Sequence, residues 1–438
     1  MNAPVNPNEL ELQTVEFKLD GKTIVAYEGE TILKAAKRHG VDIPHLCFKD
    51  GYRPDGNCRA CVVEINGERT LAPSCCRSAT AGMEVKANSE RALKSQKLIL
   101  EMLLSDMPDE GYKWVGDSDA ERQRQQHGEL SEWASRLDVQ VRPELKALRR
   151  HQPQADLSHP AMAVNLDACI QCNRCVRACR EEQVNDVIGY AMRGAHSEIV
   201  FDLSDPMGLS TCVACGECVQ ACPTGALMPK THMGSQAVDR KVDSVCPFCG
   251  VGCQITYNVK DEQIVSVDGR DGPANHSRLC VKGRFGFDYA HSPERLNRPL
   301  IRRTDAPKDP AQVMRRDWRE LFREASWDEA LDAAANGFKR AMASTPARGR
   351  QGPVAGFGSA KGTNEEAYLF QKLIRSAFAT HNVDHCTRLC HASSVAALME
   401  GLGSAVVTNP LRDVQHADFV LLIGANPAQN HPVGASWI

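Results

Sequence analysis

Sixteen of the 19 cysteines stand in four closely spaced sets, and all sixteen precede residue 281. Thiolates are soft ligands that hold iron, and close spacing lets a single loop wrap around a cluster. The density of thiols therefore predicts a row of iron–sulfur clusters that carries electrons between a redox reaction and an acceptor. The four sets are Cys47, Cys58, Cys61 and Cys75; Cys169, Cys172, Cys175 and Cys179; Cys212, Cys215, Cys218 and Cys222; and Cys246, Cys249, Cys253 and Cys280.

Cysteines have two other common uses. Disulfide frameworks belong mainly to small secreted domains, and structural zinc is the stronger alternative for any single C-x2-C pair. The pattern C-x2-C-x2-C-x3-C occurs twice between residues 169 and 222, however, and this is the spacing of two-cluster ferredoxins. In such runs the fourth cysteine binds the other cluster. The predicted sites are therefore Cys169, Cys172, Cys175 and Cys222, and Cys212, Cys215, Cys218 and Cys179.

The first cysteine set follows a short α+β pattern. Residues 14–28 alternate apolar and polar around Asp20-Gly21, which predicts a β-hairpin. Thr31–His39 reads as a helix that ends before Gly40, and a strand begins after Cys61. A hairpin, a helix and a cysteine loop resemble the β-grasp ferredoxin of plant type, which holds a [2Fe–2S] cluster.

Either Cys75 or Cys76 could supply the fourth ligand of this first cluster. Cys75 is preferred because relatives place this ligand seven residues before a Gly-Met pair, here Gly82-Met83. The alternative role for Cys76 is a buried apolar thiol. The other sets predict three [4Fe–4S] clusters.

The remaining elements position the later sets. Residues 105–158 are rich in Arg, Gln and Glu and contain no cysteine, so they predict amphipathic helices or a linker. A β-hairpin is predicted within residues 254–269, with its turn at Lys260-Asp261. After residue 320 the pattern becomes α/β: VAGFG and ADFVLLIG predict buried strands, and Thr363 with Glu366 forms a capping-box pattern before an apolar helical repeat.

Composition and hydropathy narrow the range of partners. Charged residues make up 24% of the chain and the formal net charge is −3, which gives no reason to expect a nucleic acid or an anionic membrane as a partner. The first residues have no basic region followed by an apolar core, as a secretory signal would. The sequence contains no run of about 18 apolar residues, so no membrane-spanning helix is predicted. We therefore expect a cytoplasmic protein.

Three later segments resemble the large subunit of molybdopterin-dependent oxidoreductases, and in particular the catalytic α subunit of NAD-linked formate dehydrogenases. They are CVKGRFG at 280–286, VDHCTRLCHASS at 383–394 and GANPAQNHPV at 424–433. The resemblance implies that Cys390 binds molybdenum or tungsten and that His391 orients substrate or manages protons. It also places Lys282 between a cluster and a pterin, and Gly424, Asn426 and Pro427 against a pterin dinucleotide. Cys386 matches a family cysteine, and core packing is its alternative role.

This resemblance implies a fold that is α+β and α/β with several domains. We expect a plant-type [2Fe–2S] ferredoxin domain at 1–95 and a helical linker without a cluster at 96–158. A two-[4Fe–4S] ferredoxin domain follows at 159–232 and a small β-rich [4Fe–4S] domain at 240–300. Residues 301–438 would begin the α/β domain that binds two molybdopterin guanine dinucleotides. Family members continue for several hundred residues, and the arginine expected to bind formate would lie beyond residue 438.

The implied activity is oxidation of formate to carbon dioxide at a molybdenum or tungsten centre. Electrons would leave through the clusters to a diaphorase-like partner subunit with FMN and NAD, because the chain has no G-x-G-x-x-G motif within a βαβ unit. Two alternatives are a non-catalytic electron-transfer subunit, like the large iron–sulfur subunit of complex I, and another molybdopterin enzyme such as a nitrate reductase. The chain lacks the H-x3-C-x2-C-x5-C cluster that many relatives carry between the first two sets.

Overall fold

The computed structural model describes residues 13–107, 128–146, 154–233, 238–344 and 353–438. The chain divides into two compact units. The first unit comprises Met1–Cys246, Cys253–Gly286 and Leu422–Ile438, and the second comprises Pro247–Gly252 and Phe287–Leu421. Secondary structure is mixed α/β in both. Within the described ranges, none of the helices combines the length and apolar character needed to cross a membrane.

A five-stranded sheet with the order β2-β1-β5-β3-β4 opens the first unit. Its strands are β1 (Thr14–Leu19), β2 (Lys22–Tyr27), β3 (Val62–Ile65), β4 (Ala72–Pro73) and β5 (Glu84–Lys86). The predicted hairpin is confirmed, because β1 and β2 pair antiparallel and positive φ angles at Asp20 and Gly21 make the tight turn. The predicted helix is confirmed as α1 (Ile32–Arg38), which Thr31 caps, and its apolar face packs into the core of this sheet.

Three helices follow the sheet: α2 (Glu90–Ser105), α3 (Glu129–Arg136) and α4 (Pro143–Lys146). Residues 108–127 and 147–153, which belong to the predicted helical linker, lie outside the described residues. In α3, Leu130 and Ala134 are buried while acidic and basic side chains occupy the other positions, so this helix is amphipathic as predicted.

Two small antiparallel pairs frame the ferredoxin-like block. They are β6 (Met162–Val164) with β9 (Leu227–Pro229), and β7 (Ile188–Ala191) with β8 (Glu198–Phe201). Two short helices, α5 (Arg174–Arg177) and α6 (Glu217–Ala221), carry cysteines between these pairs, and a π-helical turn at Ala178–Glu182 continues α5. Apolar side chains of the strands pack directly against the cysteines in one core.

A three-stranded antiparallel sheet comes next, formed by β10 (Arg240–Val245), β11 (Gln254–Lys260) and β12 (Gln263–Gly269). The predicted hairpin is present, but its turn is at Asp261-Glu262, one residue later than predicted. Both turn residues have positive φ angles, 49° and 60°. Helix α7 (Val281–Phe285) follows the sheet.

The second unit contains the antiparallel pair β13 (Leu300–Arg302) and β14 (Phe322–Glu324) and the parallel pair β15 (Gly356–Gly358) and β16 (Val383–His385). Its helices are α8 (Pro310–Val313), α9 (Trp318–Leu321), α10 (Trp327–Ser344), α11 (Asn364–Ala377), α12 (Thr387–Cys390) and α13 (Ala392–Leu402). The predicted capping box at the start of α11 is confirmed, because Glu366 N donates to Thr363 Oγ1 and Thr363 N donates to Glu366 Oε2.

The prediction of a buried strand at ADFVLLIG is wrong for the described chain. Residues 417–424 form no strand, and Phe419 and Ile423 are both 78% exposed. Apolar side chains and β propensity make a strand only when a neighbouring strand accepts the backbone hydrogen bonds, and no described strand pairs with this segment. VAGFG forms only the short strand β15, in which Phe357 is 81% exposed.

The chain ends in two short helices within the first unit, α14 (Pro427–Asn430) and α15 (Pro432–Ala435). The residues after them anchor this segment beside α7. Trp437 Nε1 donates to the carbonyl of Ala274 at 2.9 Å, and Arg278 donates to Ser436 Oγ at 3.1 Å while its guanidinium stacks on the Trp437 ring.

Candidate electron-transfer and metal sites

The first cysteine set converges in the first unit. Cys58 and Cys75 form side-chain hydrogen bonds to Cys47, and Cys75 also contacts Cys61. The hydrogen bonds from Cys58 and Cys75 lower the pKa of Cys47 well below its usual value. The thiolate is the form of cysteine that binds metal, so four convergent thiols, one of them already stabilised as the anion, fit a cluster.

The structure separates the two candidates for the fourth position of this set. Cys75 is fully buried, whereas Cys76 is exposed, with its Sγ 3.6 Å from that of Cys75. The alternative role of Cys76 as a buried apolar thiol is therefore wrong, because its side chain is exposed to solvent. Gly56 lies under Cys76, and a Cβ atom there would come within 2.7 Å of the Cys76 sulfur.

The two halves of the ferredoxin-like block repeat one backbone geometry. Gln171 and Ala214 each have a φ angle of 55°, and each donates its backbone N–H to the sulfur of the cysteine two residues before it, at 3.4 Å and 3.3 Å. The residues after the second cysteines, Asn173 and Gly216, also have positive φ angles. Such turns aim successive N–H groups at one point, which favours a negatively charged cluster.

Each predicted cluster of the block takes three cysteines from one half and a fourth cysteine from the other half. The cavity between the cysteines agrees with this grouping. One cavity is lined by Cys169, Cys172 and Cys175 together with Cys222 from the other half. On the opposite side, burial and neighbouring thiols, Cys179 among them, raise the pKa of Cys218. A buried thiolate requires positive charge beside it, and cluster iron would supply that charge, so both groups of four fit [4Fe–4S] sites.

These thiol groups differ from a site for one ion. Among the described residues, no group of three or more Cys, His, Asp or Glu side chains is arranged to hold a single metal ion. An iron–sulfur cluster distributes its thiolates over several iron atoms, so its ligands stand further apart than those of one ion. The donor chemistry and burial of the sets therefore favour clusters over structural zinc.

Two buried arginines of α5 join the first set to the ferredoxin-like block. Arg177 Nη2 donates to the carbonyl of Cys47 at 2.5 Å, and its Nη1 donates to the carbonyl of Arg53. Arg174 Nη1 donates to the carbonyl of Leu46 at 3.1 Å. Cys175 lies between these two arginines in α5. Helix α5, which carries a ligand of the second set, is therefore hydrogen-bonded to the loop that carries Cys47 of the first set.

A third buried arginine joins the ferredoxin-like block to the last set. Arg284 in α7 forms an ion pair of 2.8 Å with Glu217 in α6, and their side chains are only 2% and 3% exposed. Glu217 also accepts the backbone N–H of Leu279, and Arg284 Nε donates to the carbonyl of Cys215 at 3.3 Å. The segment around Cys280 is thereby fixed beside Cys215 and Cys218.

Three members of the last set, Cys246, Cys253 and Cys280, are buried in the first unit. The backbone N–H of Cys246 donates to the carbonyl of Cys253 at 2.8 Å, which closes the loop between them. Cys249 lies within that loop and belongs to the second unit.

Lys282 opens onto a cavity of the first unit that the C-terminal helices also line. Cys215 and Cys280 contribute one side of this cavity, and Gln429 and Pro432 contribute another. Lys282 thus lies between predicted cluster ligands and the segment predicted to contact a pterin. Within that segment Gly424 has a φ angle of 62°, and the Asn426 side chain caps the helix that begins at Pro427.

Cys390 and His391 lie at the junction of α12 and α13 in the second unit. Both side chains are exposed, and the Cys390 sulfur is 3.9 Å from His391 Nε2. Cys386 is also exposed, so core packing does not describe it. His385, which the sequence analysis did not select, lies 3.8 Å from the Cys386 sulfur through its Nδ1 atom.

A crevice opens at the carboxyl ends of the parallel strands β15 and β16. Gly358, Lys361 and Gly362 line one side, and Asp384 and His385 line the other. In open α/β sheets this edge is where nucleotide ligands bind, and a lysine with a capped helix N-terminus favours phosphate.

Four charged residues were missed by the sequence analysis: Arg174, Arg177, Glu217 and Arg284. Three of them stand next to a cysteine of the block or within two residues of one. Their burial could not be inferred from composition, since a charged side chain between cysteines is as compatible with solvent as with an interface. The signal available was their position inside or just after the short cysteine motifs.

Four regions of the chain match models of protein families. Residues 13–90 match a 2Fe-2S iron–sulfur cluster binding domain, and residues 168–226 match a 4Fe-4S dicluster domain. Residues 239–292 match the Fe4S4 domain of molybdopterin oxidoreductases, and residues 295–438 match the molybdopterin oxidoreductase family itself.

Residues 239–438 are thus similar to two domains of the molybdopterin oxidoreductases. The chain is 30% identical to "Putative formate dehydrogenase YrhE" of Bacillus subtilis, over 98% of this chain and 45% of that protein. It is 32% identical to the NADPH-Fe(3+) oxidoreductase subunit alpha of Geobacter sulfurreducens, over 94% of this chain and 45% of that protein. The chain thus spans about half the length of the curated relatives it matches.

A solved structure also matches. It is the NAD+-reducing [NiFe]-hydrogenase in its H2-reduced state, with 29% identity over 49% of this chain and 87% of the hydrogenase chain. The TM-score is 0.42, which is too low to compare the folds.

Proposed function

We propose that this chain is the N-terminal part of a molybdopterin-dependent formate dehydrogenase, which oxidises formate to carbon dioxide at a bis-pterin molybdenum or tungsten centre. The observation that carries the proposal is the exposed Cys390-His391 pair at a helix junction, outside all four cluster sets. A chain that only conducted electrons would have no use for a further soft ligand beside a histidine.

Several residues of this chain would hold the cofactor. Cys390 would bind the metal, and Lys282, Gly424, Asn426 and Pro427 would contact the pterin dinucleotides. The bound metal supplies two-electron oxidation chemistry. His391 would orient formate or move a proton, since the unperturbed pKa of histidine, about 6.5, lies close to neutral pH.

The four cysteine sets would hold one [2Fe–2S] cluster and three [4Fe–4S] clusters. Buried arginines join the first set to the ferredoxin-like block and the block to the last set, which supports one continuous electron path. A partner subunit that carries FMN and NAD would accept the electrons. The name of the NADPH-Fe(3+) oxidoreductase relative supports a link to a nicotinamide nucleotide.

A second candidate is a subunit that transfers electrons without acting on formate. The similarity to the alpha subunit of the NADPH-Fe(3+) oxidoreductase favours it, because that relative is as similar to this chain as the formate dehydrogenase relative is. The two candidates differ in whether formate reduces the iron.

The test is elemental analysis of the purified native complex combined with formate-dependent dye reduction. We expect molybdenum or tungsten, about 14 iron atoms per chain of this type, and dye reduction that requires formate. Iron without molybdenum or tungsten, and no response to formate, would favour the electron-transfer subunit. An iron content of about 18 would require a further four-iron cluster, contrary to the assignment of residues 77–168 as free of clusters.

A further inference from the structure

Arg177 differs from the other arginines buried near the thiols. The residue is 3% exposed, and within the described part of the chain its side chain donates hydrogen bonds to the carbonyl oxygens of Cys47 and Arg53 and to no other group. The ring of Tyr52 lies 5.9 Å from its guanidinium carbon. Its Nε atom is buried without a hydrogen-bond partner, and no carboxylate among the described residues forms an ion pair with it. Arginine carries a positive charge in proteins, so Arg177 is a buried cation with no paired carboxylate among the residues that the structure describes.

The neighbouring buried arginines are neutralised. Arg174, one helical turn earlier, forms a bidentate pair with Glu129 at 2.6 Å and 2.8 Å. Arg284 is paired with Glu217. An unpaired buried charge is costly to a protein. The pairing of two arginines and the isolation of the third therefore point to a role that requires the positive charge of Arg177.

The position of Arg177 indicates what that charge faces. Arg177 holds the carbonyl of Cys47, a member of the first set, and it stands two residues from both Cys175 and Cys179 on its own helix. The charge therefore lies between the first thiol group and the two groups of the ferredoxin-like block. Solvent does not screen it there, so its electrostatic influence extends further than that of a surface arginine.

We propose that Arg177 is a positioning residue that raises the reduction potentials of the clusters on either side of it. This inference rests on the proposed iron–sulfur clusters. Reduction adds one negative charge to a cluster, and an adjacent buried cation stabilises the reduced form. Net charge and hydrogen bonding around a cluster are among the factors that set its potential. Arg177 thereby keeps the first cluster and the clusters of the ferredoxin-like block reducible by electrons from the rest of the chain.

The experiment is a redox titration of the native complex, monitored by electron paramagnetic resonance, with variants that change the charge in opposite directions. In Arg177→Gln we expect the one-electron reduction equilibrium of the first cluster to fall about tenfold, which corresponds to a potential lower by about 59 mV. Arg177→Lys keeps the charge and should restore most of the shift. Glu129→Gln removes the carboxylate that neutralises Arg174, so the reduction potential of the first cluster should rise.

The matched control is Arg180→Gln, on the same stretch of helix. Arg180 pairs with Asp186 at the surface, with its side chain 56% exposed, so solvent screens its charge and the potential should stay at the wild-type value. If Arg177→Gln fails to assemble its clusters, Glu129→Gln still decides the sign. Intact clusters with unchanged potentials in Arg177→Gln would overturn the inference, whatever the result for Glu129→Gln. Absence of iron–sulfur signals from the wild-type complex would instead overturn the proposed function.

Discussion

Apart from Cys76, which is exposed in the first unit, and Cys249, a half-buried predicted cluster ligand that belongs to the second unit, the thiols of the two units have opposite environments. In the first unit the predicted cluster ligands are buried or half-buried, and arginines fixed by carbonyl and carboxylate oxygens hold the loops that carry them. In the second unit Cys386 and Cys390 are exposed, and the nearest polar contact of each is a neighbouring histidine at 3.8 to 3.9 Å. The predicted cluster ligands are thus positioned by packing within the described chain, whereas Cys390, the proposed metal ligand of the second unit, is exposed on its surface.

Apolar side chains show the same contrast. The first unit has cores of large apolar residues that include the cysteines themselves, although Leu203 and Leu209 remain exposed. In the second unit Leu389 is 94% exposed, Val407 81% and Phe419 78%. Exposed apolar surface on this scale is typical of faces that pack against other protein or a large ligand. We therefore expect that cluster assembly and cofactor binding can be disrupted independently of each other. The following experiments test this expectation.

The largest effect is expected from Cys390→Ser in the complete enzyme. We expect it to abolish formate oxidation, a loss well beyond about 100-fold, because even partners of metal ligands cost 10–100-fold when removed. Formate-dependent dye reduction measures the loss. The iron–sulfur spectra should stay close to wild type, since all four sets lie elsewhere in the sequence. Turnover near the wild-type rate would remove Cys390 from the site.

Disruption of the buried ion pair tests the packing of the first unit. Glu217→Ala leaves Arg284 buried and unpaired, which should destabilise this unit by about 3–5 kcal/mol. Denaturant unfolding followed by cluster absorbance measures the change. The matched control in the second unit is Glu329→Ala, whose partner Arg323 is exposed, and it should leave the transition unchanged. Equal midpoints for the two variants would contradict the contrast between the units.

Cys47→Ser separates the two ends of the electron path. The first set is the most distant in sequence from Cys390, so formate should still reduce an artificial dye, whereas NAD reduction through the partner should fall by about 10-fold or more. Comparison of the two rates in the same preparation is the measurement. Unchanged NAD reduction would mean that electrons leave from the ferredoxin-like block instead.

The smallest effect concerns a local feature of the second unit. Thr363→Ala removes the capping box of α11 and should cost about 1 kcal/mol of stability. Faster hydrogen exchange of amides in Asn364–Ala377 measures it, and the exposed Thr408→Ala outside the helices serves as the control. Exchange that is unchanged in α11 would show that tertiary packing, rather than the cap, holds this helix.

Features that depend on near neighbours could be predicted from the sequence. The Asp20-Gly21 turn, helix α1 and the capping box all follow from residue types a few positions apart, and the structure contains each of them. The division into iron–sulfur and molybdopterin regions also followed from cysteine spacing and short motifs, because a cluster binds ligands from one or two loops.

Features that depend on a distant partner required the tertiary structure. ADFVLLIG has strand composition, but it forms no strand where no described strand is beside it. Resemblance to relatives already favoured Cys75 over Cys76, but only the structure decided that Cys75 is buried and Cys76 exposed. The sequence by itself determined which residues can hold iron, since ligand chemistry is a property of residue type. Only the tertiary structure decided that Arg177 is buried with no paired carboxylate among the described residues while Arg174 has one, because burial and pairing depend on segments far apart in the chain.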